Sequence, residues 1–175
     1  MSNRVLGLKV WVGASFFLLF LGGGAYALSP SQQGLNLKVQ ADQLLKQGRI
    51  EQAISLYETV LKEDKGFANA HYNLATAYYL KGELGKAAES LKAFLHFQPN
   101  DAEALYNLGC LKIRLGDFDE AMKCFLRAEN CPCSRLISRK IKEALRFTKG
   151  LRNENPKTQQ LIAYLLTLSP SSGNG

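Results

Sequence analysis

The sequence predicts an all-α protein: an α-solenoid of three antiparallel helical hairpins plus two C-terminal capping helices, preceded by a hydrophobic N-terminal signal or anchor helix. Three observations predict it. The chain aligns with itself at a shift of 34 residues from Gly34 to Arg135. Within each 34-residue window the apolar residues recur at steps of three and four, the spacing of one helix face. Ahead of the repeating part, Val10 to Leu28 is a run of nineteen residues without a charge.

Composition narrows the function classes. Hydrophobic residues make up 46% of the 175 and charged residues 21%, the balance of a globular chain, which excludes global disorder and fibrous repeats. Two histidines exclude a His-rich metal cage. No Ser elbow, paired-carboxylate motif or phosphate loop is present, so the expectation is a non-enzymatic protein that needs no cofactor. The net charge of +7 is unevenly placed, because Arg135 to Arg152 alone contributes +6.

Taken in order, residues 1–28 come first. Arg4 and Lys9 precede a densest apolar core at Val10–Leu21, then Gly22-Gly23-Gly24 and Ala25-Tyr26-Ala27. A charged start, a short apolar run and small residues before a cut describe a secretory signal peptide cleaved after Ala27. The rival is an uncleaved signal-anchor transmembrane helix, since nineteen residues span about 29 Å, roughly one hydrocarbon core. Both readings leave Arg4 and Lys9 in the cytoplasm and put the rest on the exported side of the membrane, whether periplasmic, extracellular or lumenal. Residues 29–33 (SPSQQ) form a polar linker.

The hairpins occupy residues 34–67, 68–101 and 102–135. Their register is set by small residues: Ala41, Ala75 and Gly109; Gly48, Gly82 and Gly116; Ala53, Ala87 and Ala121. Two antiparallel helices approach to about 8 Å only where the crossing point carries small side chains. Gly82 stops the first helix of the second window, and Pro99 ends its second helix with Asn100 and Asp101 in the turn. A single hairpin cannot bury both faces, so neighbours must stack.

The stretch Asn73-Leu74-Ala75-Thr76-Ala77-Tyr78-Tyr79-Leu80-Lys81-Gly82 with Ala87 resembles the tetratricopeptide repeat (TPR) signature, as does Tyr106-Asn107-Leu108-Gly109 with Gly116, Asp117, Phe118 and Ala121. Gln40 and Lys112 depart from the pattern, and Cys133 stands where proline is expected. The resemblance implies a right-handed solenoid whose first helices line a concave groove for a peptide. It implies protein–protein interaction or complex assembly through Lys38, Tyr72, Asn73, Thr76, Tyr79, Tyr106, Asn107, Cys110 and Arg114. Asp42, Leu45 and Ile113 fall on the same strip. Some family members clamp a C-terminal carboxylate with Lys and Asn side chains; here Lys38 and Asn73 are kept, but Asp42 and Glu103 beside them would repel one.

Residues 136–168 are read as the cap. Ser134 to Lys149 carries Ile137, Ile141, Ala144, Leu145 and Phe147, with Gly150 as its stop. Asn155-Pro156 then opens a second helix to Leu168, expected to fold back on Ile141, Leu145 and Phe147 as one more hairpin. Residues 169–175 are expected to be a disordered tail.

Two further sets carry chemistry. Arg135, Arg139, Lys140, Lys142, Arg146, Lys149 and Arg152, opposed only by Glu143, suit a solvated face or an anionic partner such as lipid headgroups or an acidic protein. Nucleic acid is the least favoured partner, because no aromatic residues interleave for base stacking. Cys131 and Cys133 flank Pro132, where a redox role is the alternative to inert thiols; four cysteines without paired Cys-x-x-Cys units make a poor zinc site. His71 stands where Leu37 and Leu105 stand and reads as a core or half-buried residue. The oligomeric state has no signature in the sequence.

Overall fold

The computed structural model describes residues 30–168; the signal or anchor segment, Ser29 of the linker and the tail 169–175 lie outside them. The described chain is a succession of helices: α1 Pro30–Lys46, α2 Ile50–Glu63, α3 Ala68–Leu80, α4 Leu84–Phe97, α5 Ala102–Arg114, α6 Phe118–Glu129, α7 Arg135–Arg152 and α8 Pro156–Leu168. The 34-residue step recurs in the starts of α2, α4 and α6 at Ile50, Leu84 and Phe118. No helix among the described residues is long and apolar enough to cross a membrane.

Each hairpin turn is made the same way. Gly48, Gly82 and Gly116 adopt φ of 75°, 85° and 79°, a left-handed backbone that glycine enters without a Cβ penalty. The next amide reaches back five residues, Arg49 to Leu44, Glu83 to Tyr78 and Asp117 to Lys112, at 2.9, 2.9 and 2.8 Å. Those bonds satisfy carbonyls that a helix end would leave open, and they turn the chain within about three residues. Asp101, Asp117, Ser134 and Asn155 cap the helices that follow them by accepting from the amide three residues on.

Hairpins form between α1 and α2, α3 and α4, and α5 and α6, and successive hairpins stack through α2 on α3 and α4 on α5. One apolar core runs through all of them, with Ala41, Ala53, Tyr57, Ala87, Leu105, Ala121 and Phe125 essentially inaccessible. The third crossing is the tightest. A Cβ added to Gly109 would lie 2.5 Å from the Phe125 ring, so Gly109 is the only residue type that fits beneath that ring.

Three expectations change. Pro30 begins α1, so residues read as linker form its first turn; proline loses nothing at a first helical position, where its amide would be unbonded. Gly150 does not stop α7, which continues to Arg152 because Leu151 is buried, and that burial outweighs a glycine cost of about 1 kcal/mol. Finally, α8 does not pair along α7. Ile141 and Leu145 are already buried where α7 packs on α6 and touches α5, while α8 crosses to α5. Ala163 sits 3.9 Å from the position of a Cβ on Gly116. Phe147 is consequently left 47% exposed.

Candidate functional site

Between α3 and α5 the concave face opens into a cavity of about 430 Å³. Its floor is apolar, made by Ala75, Leu91 and Leu111. Its walls are Tyr72, Thr76 and Tyr79 from α3, and Tyr106, Asn107, Cys110 and Arg114 from α5. α7 adds Lys140. The helical step explains the set: positions three and four apart on α3 and on α5 fall on one stripe each, and stacking turns both stripes inward.

The tyrosines are held rather than loose. Tyr72 packs edge-on against Phe94, 5.2 Å between ring centroids, and its Oη accepts from Asn107 Nδ2 at 3.0 Å. Tyr106 tilts over Phe125 at 5.9 Å. The Arg114 guanidinium stands 5.0 Å from the centre of the Tyr79 ring, a cation–π contact. Burial, and then the nearby Glu103 carboxylate, pushes the Tyr72 phenol up. Burial, and then its neighbour Cys110, does the same for Tyr106. The Cys110 thiol is raised by burial against the opposing hydrogen bond from Tyr106. All three groups are therefore neutral at ordinary pH and serve as hydrogen-bonding surface, not as nucleophiles.

At the α1 end the polar groups are spent on one another. Asp42 accepts from Lys38 Nζ at 2.8 Å, Tyr57 Oη at 2.6 Å and Asn73 Nδ2 at 2.7 Å. Burial would raise the Asp42 carboxyl, but those three donors outweigh it and hold the group below its ordinary range. Burial and the Asp42 carboxylate together push the Tyr57 phenol far above its usual value.

Of the residues expected in the groove, Tyr72, Thr76, Tyr79, Tyr106, Asn107, Cys110 and Arg114 are brought together around the cavity. Lys38 and Asn73 are not; they converge on Asp42. Ile113 is buried core and leaves the strip. The basic set of α7 divides. Arg135, Arg139, Lys142, Arg146 and Lys149 are exposed, whereas Lys140 is half-buried in the cavity wall. Lys140 was assigned by charge alone, and the signal for its place was the register: Lys38, Tyr72, Tyr106 and Lys140 are each 34 apart.

The remaining candidates separate. Cys124 is buried, Cys110 and Cys131 half-buried and Cys133 exposed, all as free thiols. Cys131 Sγ donates to the Arg127 carbonyl at 3.2 Å. No group of three or more metal-ligating side chains gathers among the described residues. His71 is half-buried, stacked on Phe97 at 5.9 Å with Nε2 3.1 Å from the Lys65 carbonyl.

Comparison with known proteins agrees with this architecture. A family model described as Tetratricopeptide repeat matches residues 39–102, and a second of the same description matches 102–130. No curated protein sequence matches the chain. Among solved structures, the chaperone SycD of Yersinia enterocolitica superposes with a TM-score of 0.65 at 15% identity, covering 76% of this chain and 98% of that one. PcrH, solved with the chaperone binding region of PopD, gives 0.65 at 16%, covering 72% and 97%. The second TPR domain of human RPAP3, solved with an HSP70 peptide, gives 0.59 at 21%, covering 69% and 98%. These likenesses concern the fold.

Proposed function

This chain belongs to the tetratricopeptide repeat family, and on that premise we propose that it is a non-catalytic scaffold or adaptor whose concave groove receives a peptide segment of another protein. One observation carries the reading: three half-buried tyrosines and two cations surround a single cavity on the concave face. Tyrosine offers large contact area and a polar tip at low entropy cost, which suits a peptide. The structural neighbours solved with bound segments, PcrH with part of PopD and RPAP3 with an HSP70 peptide, support it by analogy of fold. The test is site-specific photocrosslinking in the producing cell. A crosslinker in place of Thr76, which is exposed on the cavity wall, captures a partner that one in place of Lys92 on α4 does not. The same capture disappears with Tyr72→Ala and Tyr79→Ala. If those substitutions leave the captured partner unchanged while melting stays near the parent, the groove is not the binding surface.

The groove is set on the exported side of the membrane in this proposal, by the uncharged run Val10–Leu28, as a cleaved signal or a single-pass anchor. Intact mass of the native protein tests which. A second reading rests on α7, where Arg135, Arg139, Lys142 and Arg146 lie within one exposed stripe. Each such cation adds about 1 kcal/mol near an anionic membrane surface. Flotation with anionic liposomes at two salt concentrations tests it; absence of binding at low salt removes it.

A further inference from the structure

Charge along the concave face is asymmetric. The cavity between α3 and α5 is lined by two cations, Arg114 and Lys140, and by no carboxylate. Carboxylates stand at its edges, Glu103 near enough to raise the Tyr72 phenol and Glu143 the Tyr106 phenol, while Asp42, at the other end of the face, is bonded to Lys38, Tyr57 and Asn73. Arg114 lies over the Tyr79 ring, so its charge stays in the wall. Lys140 shares its helix stripe with Glu143, whose Oε1 is 3.8 Å from Arg139 Nε.

The apolar surface continues past that cation. Leu136 is four residues before Lys140 and Phe147 seven after it, so all three share the stripe of α7 that meets the groove. Leu136 is 52% exposed and Phe147 47%, large apolar side chains that α8 leaves uncovered. Neither lines the cavity itself; they flank Lys140 along α7, one on each side of the cation. A segment that reaches both of them extends past Lys140 in either direction.

We infer that the segment the groove takes is internal to its partner and carries an acidic side chain, seated at Lys140 and Arg114, with large apolar side chains on either side of it. The inference rests on the groove reading above and adds the partner's chemistry. Two positive groups in a partly desolvated wall favour a carboxylate and disfavour a basic residue, and such complementarity fixes register more than it adds affinity. The tyrosines and the Leu136–Phe147 stripe supply the apolar contact on each side.

The experiment uses the full-length chain in detergent and a phage-displayed library of random dodecapeptides, whose peptides have no free C-terminus. The expected result is enrichment of Asp or Glu at one position, with large apolar residues flanking it. Binding of a selected peptide weakens about tenfold with Lys140→Gln, and selection on Lys140→Glu moves that position to Lys or Arg. Lys142→Glu, which changes net charge equally on an exposed position, leaves the preference acidic. An unchanged acidic preference with Lys140→Glu overturns the inference, as does no acidic enrichment with the parent. A second library with free C-termini closes the remaining route: binders found only there, and lost on amidation, would mean a terminal carboxylate and overturn it too. If Tyr72→Ala with Tyr79→Ala selects the same peptides as the parent, the groove reading itself has failed, which is a distinguishable result.

Discussion

The two ends of the concave face use similar side chains for opposite ends. Near α1, Lys38 and Asn73 have the identities that hold a peptide carboxylate in related repeats, yet both bond to Asp42, and Tyr57 reaches the same carboxylate from α2. Near α5 and α7, Arg114 and Lys140 face a cavity whose lining contains no acid. Asp42 acts as an internal ligand that ties one end of the face together, whereas the proposed binding surface lies at the other end. A carboxylate accepting three donors, partly shielded from water, is a junction between hairpins: α1, α2 and α3 all meet on it.

The largest way to break the comparison is to unseat the open end. Phe125 is fully buried and carries Tyr106 on its ring. Phe125→Ala is expected to cost about 3–5 kcal/mol, read by thermal or urea unfolding, with peptide binding lost because Tyr106 loses its support. Gly109→Ala attacks the same contact from below and is expected to cost about 1–3 kcal/mol, despite alanine's better helix propensity. The second repeat shows the compensation, with Ala75 and Leu91 at the matching positions. Gly109→Ala combined with Phe125→Leu should therefore recover part of what Gly109→Ala loses. Simple additivity of the two single effects would show that the contact is not the cause.

The closed end breaks more gently. Tyr57→Phe deletes one donor to Asp42 and leaves the ring, so the loss is that of a hydrogen bond to a charged group, about 1.5–3 kcal/mol in the same unfolding assay. Its pH dependence has a definite sign. The Asp42 pKa is lowered in the folded protein, so its contribution is present above the ordinary value of 3.8 and is lost as pH falls through and below that value. The difference in melting temperature between parent and Asp42→Asn should shrink as pH is lowered through this window. A gap that is constant there would mean that Asp42 titrates alike in the folded and unfolded chains.

Most of the scaffold was legible because each repeat states its rules three times. Glycines at Gly48, Gly82 and Gly116 mark turns that only a left-handed residue makes well, and the small residues mark the crossings. What escaped lies where the repeat stops. Gly150 looks like a stop in isolation, but Leu151 and Thr148 are buried against the last hairpin, and packing overrides local preference. α8 carries a broad apolar face that says it must dock, while the choice of α5 over α7 depended on which surface was already filled. Within the site, the tyrosines followed from the register. Lys38 and Asn73 bond to Asp42 and do not line the cavity, which the sequence left open because a side chain's identity does not say whether it spends its hydrogen bonds inward. The sequence had set Asp42 beside them, and the close contact among Lys38, Asn73 and Asp42 is where that juxtaposition led.

The smallest expected effect sharpens the comparison most. Asp42→Asn removes the charge that draws Lys38 and Asn73 inward, while an amide of the same shape still accepts from Tyr57. Lys38 is then a cation without its i,i+4 partner, on the strip where a terminal carboxylate could reach it. An exposed or half-exposed ion pair contributes roughly 0.2–1 kcal/mol, so the gain for a peptide ending in a free carboxylate, relative to its amide, is about 1.4- to 5-fold. Fluorescence polarisation with one heptapeptide in both forms reads the ratio directly, parent against variant. Glu103, which remains close enough to raise the Tyr72 phenol, opposes that gain and sets its upper limit. Adding Glu103→Gln should therefore raise the ratio further. If the free-acid and amide forms bind the double variant equally, Lys38 and Asn73 do not face the groove even when released, and the closed end is structural through and through.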